Sequence, residues 1–263
     1  MKTALIVVAV AGPAFCQYGA FALPDEHGAR LIATGATRAP ANARTALCSG
    51  GKSVPVRFDH RQAGTNKHNG RQTPSRFAAL SGDVFRVEEG SVAATDACFL
   101  PAQEWMSEAS VVPVQADRTQ SSCDTALQAR IVQAKGRAVV HCFSIARVEE
   151  GGRLVLVEFV RAGKDALASI VLIDPARLLF ADYPAEFRGE GNDLWRADDG
   201  GKLLPDGFEI VFLLHRFLLH RPDDCALGVS WNGAEGRSLA LFVSTGATGF
   251  NRVVDDYWYQ SPE

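Results

Sequence analysis

The sequence predicts a mainly β protein of antiparallel sandwich or barrel-like sheets, with one short helix near 123–135. Short apolar stretches of strand length recur from Ser53 to Tyr259. Gly-rich turns separate them at close intervals, the spacing of an all-β domain. Only Cys123 to Lys135 combines an apolar helical face with signals at both ends. Nothing alternates strand and helix as βαβ units would.

The chain opens on what reads as an export signal. Lys2 supplies a positive start, and Ala4 to Phe15 form an apolar run broken only by Gly12 and Pro13. Ala20-Phe21-Ala22 then fits a small-x-small cleavage pattern, which makes 1–22 a signal peptide and Leu23 the mature N-terminus. The run is shorter than the ~20 apolar residues a spanning helix needs. A lipoprotein signal ending at Cys16 would place Phe15, a bulky aromatic, where a small residue belongs. The cleavage pattern and the absence of an N-x-[ST] sequon point to a bacterial source and a periplasmic or extracellular location.

Taking Lys2 from the 27 basic residues leaves 26 against 30 acidic ones, a mature net charge of −4. Such a chain lacks the basic face that nucleic-acid binding requires. It also lacks a general attraction to anionic membranes, and no stable anchor is expected once the signal is removed. Cys16 leaves with the signal, so Cys48, Cys98, Cys123, Cys142 and Cys225 remain. An oxidising compartment favours pairing. The odd count leaves at least one thiol unpaired or paired between chains and the connectivity open, with some cysteines able to stand as buried, inert thiols. Chain proximity favours Cys123 with Cys142 and Cys48 with Cys98, which would leave Cys225 over. No C-x-x-C pair seeds a zinc site, so no metal is expected.

From Leu23 to residue 115 an N-terminal β-rich region carries strand candidates at Ser53–Phe58, Asp83–Val87, Ala97–Leu100 and Ser110–Val114. Within it, 59–76 reads as a long polar loop, a length that marks functional or disordered segments. Ala116 to Ser122 is a bend. The helix follows, with Ser121, Ser122 or Asp124 as N-cap and Gly136 as its stop. From 123 to 263 a C-terminal antiparallel β domain continues through Ala138–Val148, Arg153–Arg161, Ala166–Ile173, Phe208–His215, Ala226–Trp231, Ser238–Ser244 and Phe250–Tyr259. Leu154, Leu156 and Val160 alternate with Val155, Val157 and Phe159, so that strand is apolar on both faces and buried on both sides. The two regions form one large β unit or two subdomains.

Two repeats stand out. Arg86-Val87-Glu88-Glu89-Gly90 recurs at Arg147–Gly151, each ending a strand in an acidic turn. Phe212-Leu213-Leu214-His215-Arg216 is followed at once by an identical Phe217-Leu218-Leu219-His220-Arg221. A period of five matches neither helix nor strand, so the duplication should be absorbed as an extended hairpin or a bulge.

Motifs that could carry chemistry mostly fail on spacing. Ser49-Gly50-Gly51-Lys52-Ser53 resembles the tail of a phosphate loop, but Ala46 stands where the first glycine belongs. Gly228-Val229-Ser230-Trp231-Asn232-Gly233 misses the nucleophile elbow by one residue. The acids at Asn192-Asp193 and Asp198-Asp199 lack calcium-loop order. Asp255-Asp256 would point to opposite faces of a strand, and Tyr257-Trp258-Tyr259 beside them is a candidate ligand platform. The best binding candidate is the basic segment His60, Arg61, Lys67, His68 and Arg71, suited to a small anionic ligand or an acidic patch on a partner protein. A concave site is expected near His60 and His68, or beneath Trp195 and Trp231.

Together these features favour an exported binding or scaffolding module, with no cofactor and no assigned catalytic residue. A secreted hydrolase whose catalytic cluster assembles only in the fold is the rival class. An inhibitor of a secreted enzyme, presenting a disulfide-tethered loop, is the third.

Overall fold

A computed structural model describes residues 18–35, 38–67, 69–117, 119, 121–174, 177–187, 207–221, 223–233, 235–245 and 249–261. Three antiparallel sheets make up the architecture. The first is a closed barrel of β1 (Gly19–Pro24), β2 (Arg30–Ala33), β3 (Thr45–Cys48), β4 (Lys52–Gln62), β5 (Gly82–Val87) and β6 (Cys98–Pro101), in the order β1-β2-β5-β4-β3-β6. Its small lumen explains the alanines of this region. Ala20, Ala22, Ala33 and Ala46 point inward with Leu31, Val56 and Phe85. The alternate residues Phe21, Leu23, Leu47 and Phe99 point outward onto the next sheet, the period-2 alternation of a strand buried on both sides.

After α1 (Gln103–Met106), the chain contributes one strand to each remaining sheet, β7 (Ser110–Val112) and β8 (Val114–Ala116). Pro113 lies between them. Without an N–H it cannot continue a ladder, so the run divides there. β7 pairs with β13 (Phe208–His215) and β8 with β9 (Val139–Val148). The upper sheet runs β16-β15-β14-β13-β7, including β14 (Asp224–Asn232), β15 (Gly236–Thr245) and β16 (Asn251–Tyr259). The lower sheet runs β12-β11-β10-β9-β8, including β10 (Arg153–Phe159), β11 (Asp165–Ile173) and β12 (Leu178–Glu186).

The layers stack as barrel, upper sheet, lower sheet and helix. Phe212, Leu214, Leu239 and Leu241 face the barrel, whereas Leu213, Leu227 and Phe242 face Leu154, Leu156 and Ile170 of the lower sheet. Val155, Val157 and Phe159 turn the other way, under α2 (Thr125–Lys135). β10 is thus buried on both faces, as its sequence predicts, but it ends at Phe159 and leaves Val160 exposed. Asp124 caps α2 by accepting from the Leu127 N–H at 2.8 Å, and Gly136 ends it in the left-handed conformation. Lys135 anchors its last turn to Asp182 at 2.5 Å, and the buried Ser169 hydroxyl donates to the same carboxylate.

Both expected disulfides are formed. Cys48–Cys98 joins directly paired residues of β3 and β6, and Cys123–Cys142 ties the approach to α2 onto β9. For loops of 50 and 19 residues, the chain-entropy model gives about 4 and about 3 kcal/mol. Among the described residues Cys225 is the free thiol, and it is fully buried. Burial pushes it up to about 11 despite the Arg177 guanidinium 3.3 Å away, so it stays a thiol in the fold.

Several boundaries differ from expectation. β1 occupies Gly19–Pro24, so the expected cleavage point between Ala22 and Leu23 falls inside a buried barrel strand. β4 runs on to Gln62, four residues into the stretch expected to be a loop, because His60, Arg61 and Gln62 pair with β5; the His60 and Arg61 side chains face water, and Gln62 donates to the Phe77 and Leu80 carbonyls at 2.8 and 2.7 Å. A 3-10 turn at Pro74–Ala79 then buries Phe77. The tandem pentapeptide is absorbed in the β13–β14 hairpin: the first copy completes the strand and the second forms the connection.

Candidate functional site

The bulge in β13 between Ile210 and Phe212 is where the barrel docks. It turns the Ile210 and Val211 carbonyls toward the Gly50-Gly51 turn, whose N–H groups donate to them at 3.2 and 2.9 Å. Both glycines have φ near +75°, which side chains rarely adopt. The phosphate-loop lookalike is therefore a docking turn, and its amide donors are already engaged.

Beside this junction the ends of the sheets leave a cleft of about 880 Å³ between barrel and sandwich. Leu23, Thr73, Pro74 and Thr95 form its barrel wall; Asp117 and Ile145 come from the lower-sheet side; Phe208, Glu209, Asn232 and Arg237 come from the upper sheet. Arg237 is its electrostatic centre. Arg237 as a residue is 8% exposed; its guanidinium donates from Nε to Ser230 Oγ at 2.9 Å and from Nη1 to the Thr95 carbonyl at 2.7 Å, and is ion-paired through Nη2 with Glu209. Burial lowers its pKa, opposed by Glu209 and Asp96. The barrel and the sandwich thus share one buried cation, held by a carboxylate of one and a carbonyl of the other.

Asp117 lies across the cleft wall, accepting from Thr119 Oγ1 at 2.6 Å and Ser144 Oγ at 2.8 Å. These hydrogen bonds hold its carboxyl below the usual value, so it stays ionised. Ser230, the serine of the elbow lookalike, is 1% exposed in mid-strand and engaged by Arg237. No histidine is among the described residues lining the cleft. Among the described residues no group of three or more His, Cys, Asp or Glu is placed to hold a metal ion.

The basic segment is distributed over two elements. His60 and Arg61 lie on β4, while Lys67 and Arg71 follow it. His60 Nδ1 is 3.1 Å from Asp59, Arg61 is 3.6 Å from Asp83, and Arg86 also reaches Asp59 at 3.5 Å. Positive charge on β4 is thereby matched by neighbouring carboxylates. Lys67 is exposed and Arg71 half-buried. His68 lies outside the described residues, as do Trp195, Asn192-Asp193 and Asp198-Asp199. The segment ends on the cleft: Thr73 and Pro74 line it, and Gln72 exchanges hydrogen bonds with Tyr259 and Gln260 at 2.8 to 3.0 Å. Asp255 and Asp256 lie in β16 as adjacent, oppositely facing residues; burial raises the Asp256 carboxyl.

Arg237, Glu209 and Asp117 escaped the sequence reading. One signal was present. Arg237 is in phase with Leu239, Leu241 and Val243, which makes it a cation on the apolar face of a strand. Glu209 and Asp117 carry no comparable signal, because their partners Arg237 and Ser144 stand 28 and 27 residues away.

Comparison with known protein families, curated proteins and solved structures finds no match to this chain. Among the described residues no helix is long and apolar enough to cross a membrane.

Proposed function

We propose that this chain is an exported bacterial binding module whose ligand seat is the cleft between barrel and sandwich. The observation that carries this reading is the Arg237–Glu209 pair at the cleft base, locked to Ser230 and to the Thr95 carbonyl. Its donors are fixed in place and its carboxylate is engaged, an arrangement for orienting a small polar ligand. Asp117, held ionised, suits accepting a hydrogen bond better than delivering a proton. A cleft of about 880 Å³ falls in the size range of small-molecule sites, ~300–1,000 Å³. Two disulfides support export into an oxidising compartment.

Within this reading the leader is cut ahead of Gly19. Cleavage after Ala22 would remove the residues that pair with Cys98 to Pro101 and close the barrel. N-terminal sequencing of the exported protein should find a start no later than Gly19; a start at Leu23, or retention in the cytoplasm, would overturn this part.

The cleft is tested by thermal shift against a panel of small polar metabolites, with Thr95→Trp filling the cleft while keeping its carbonyl. At least one compound should raise Tm in the native protein and not in the variant. Turnover of chromogenic ester, phosphate or glycoside substrates, abolished by Asp117→Asn or Glu209→Gln, would instead make the chain a hydrolase.

A further inference from the structure

We propose a second site on the opposite face of the upper sheet, an aromatic trough that takes a neutral saccharide. Trp231 of β14, Ser238 of β15 and Tyr257 of β16 are direct cross-strand partners in one row, so they share a face. Two strand spacings place the aromatics about 10 Å apart. Ser238 lies between them, and Gly236 lies two residues along on the same face. Gly236 is required there, since a Cβ on it would run into the Trp258 carbonyl oxygen and also meet the Tyr257 ring at 2.8 Å. The result is a recess of about 430 Å³ with two aromatic walls and a small-residue floor.

The walls differ in what holds them. Trp231 is braced by Tyr183 and Phe208, with ring centroids at 4.6 and 5.4 Å, and is half-buried. Tyr257 is 46% exposed. Polar groups stand at one end: Arg252 pairs with Asp255 at 3.3 Å and lies over the Tyr183 ring at 5.0 Å. Asp256 also lines the recess, so one cation and two carboxylates stand beside the aromatic faces.

That chemistry selects the occupant. A pyranose ring presents an apolar C–H face to aromatic surfaces and hydroxyls at its edge, where Ser238, Asp255 and Arg252 supply partners. Arg252 is matched by Asp255 and Asp256 adds a further carboxylate to the lining, so an anionic ligand gains nothing here. A protein partner needs more than ~1,000 Å² of buried surface, which a recess of this size does not supply.

The test is titration with cellohexaose, xylohexaose, maltohexaose and chitohexaose, read by tryptophan fluorescence and calorimetry, with polygalacturonate as the charged control. At least one neutral hexasaccharide should bind saturably. Tyr257→Ala, at an exposed position, should weaken it by about tenfold, and Ser238→Trp, which fills the floor, should abolish it. Thr95→Trp should leave it unchanged, so the trough and the cleft fail or succeed separately. Three results would overturn the proposal: no saturable binding by any neutral hexasaccharide, binding indifferent to both trough variants, or tighter binding to polygalacturonate.

Discussion

Two identical pentapeptides stand end to end in this chain and fold differently. In the first, Phe212, Leu213 and Leu214 are fully buried in β13, with Phe212 and Leu214 facing the barrel and Leu213 facing the lower sheet. In the second, Phe217 alone is fully buried, packing near Tyr18 and Trp105 with ring centroids at 6.4 and 6.2 Å. Leu219 is 48% exposed. Arg216 and His220 both have φ near +57°, a left-handed conformation that L residues adopt at a cost. Buried Asp224 compensates, its carboxylate accepting from the Leu219 and Arg221 N–H groups at 2.6 and 3.2 Å. Local propensity cannot separate the copies, because it is the same in both. Neighbours decide: β7 and β14 pair with the first copy, and Asp224 folds the second.

Deleting one copy should have the largest effect. Because the copies are identical, removing either gives the same chain, in which Arg216 is followed by Pro222-Asp223-Asp224. The existing Arg216 N–H to Asp224 carbonyl bond at 2.9 Å would then close over a Pro-Asp turn. The hairpin should persist while the burial of Phe217 is lost, at about 3 kcal/mol in urea unfolding. An unfolded product would show that the second copy also sets the register of β13.

Asp224→Ala should come next, at about 2 kcal/mol, since it strands two loop amides. Hydrogen exchange should quicken at Leu219 and Arg221, while Leu213 and Leu214 keep their protection. Equal loss in both copies would mean that Asp224 supports the strand itself.

The smallest effect carries the sharpest contrast. His215→Gly removes a strand residue and should lower stability by about 1 kcal/mol. His220→Gly relieves a left-handed histidine and should raise stability by about 0.5 kcal/mol. Paired Tm measurements give the signs; the same sign at both positions would contradict the assigned conformations.

Legibility varied in the same way elsewhere. The long strands of the sandwich, the helix and both disulfides could be read from alternation, capping and chain proximity. β2 and β3 could not, since four residues barely register a period. β12 contains Pro184, which argues against a central strand, but β12 lies at the edge of its sheet, where proline is tolerated. Residues 19–24 fit a cleavage motif and a barrel strand alike, because small and apolar residues suit both. The cleft residues were the least legible, as Arg237 meets Thr95 from 142 positions away.

By itself, then, the sequence determined the class of fold and favoured the two cysteine pairs by chain proximity, both of which depend on patterns local in the chain. Only the tertiary structure decided that β1 closes a barrel and that twin pentapeptides part ways. It alone placed a buried arginine at the junction of barrel and sandwich. Those outcomes rest on contacts between distant segments, which local periodicity does not encode.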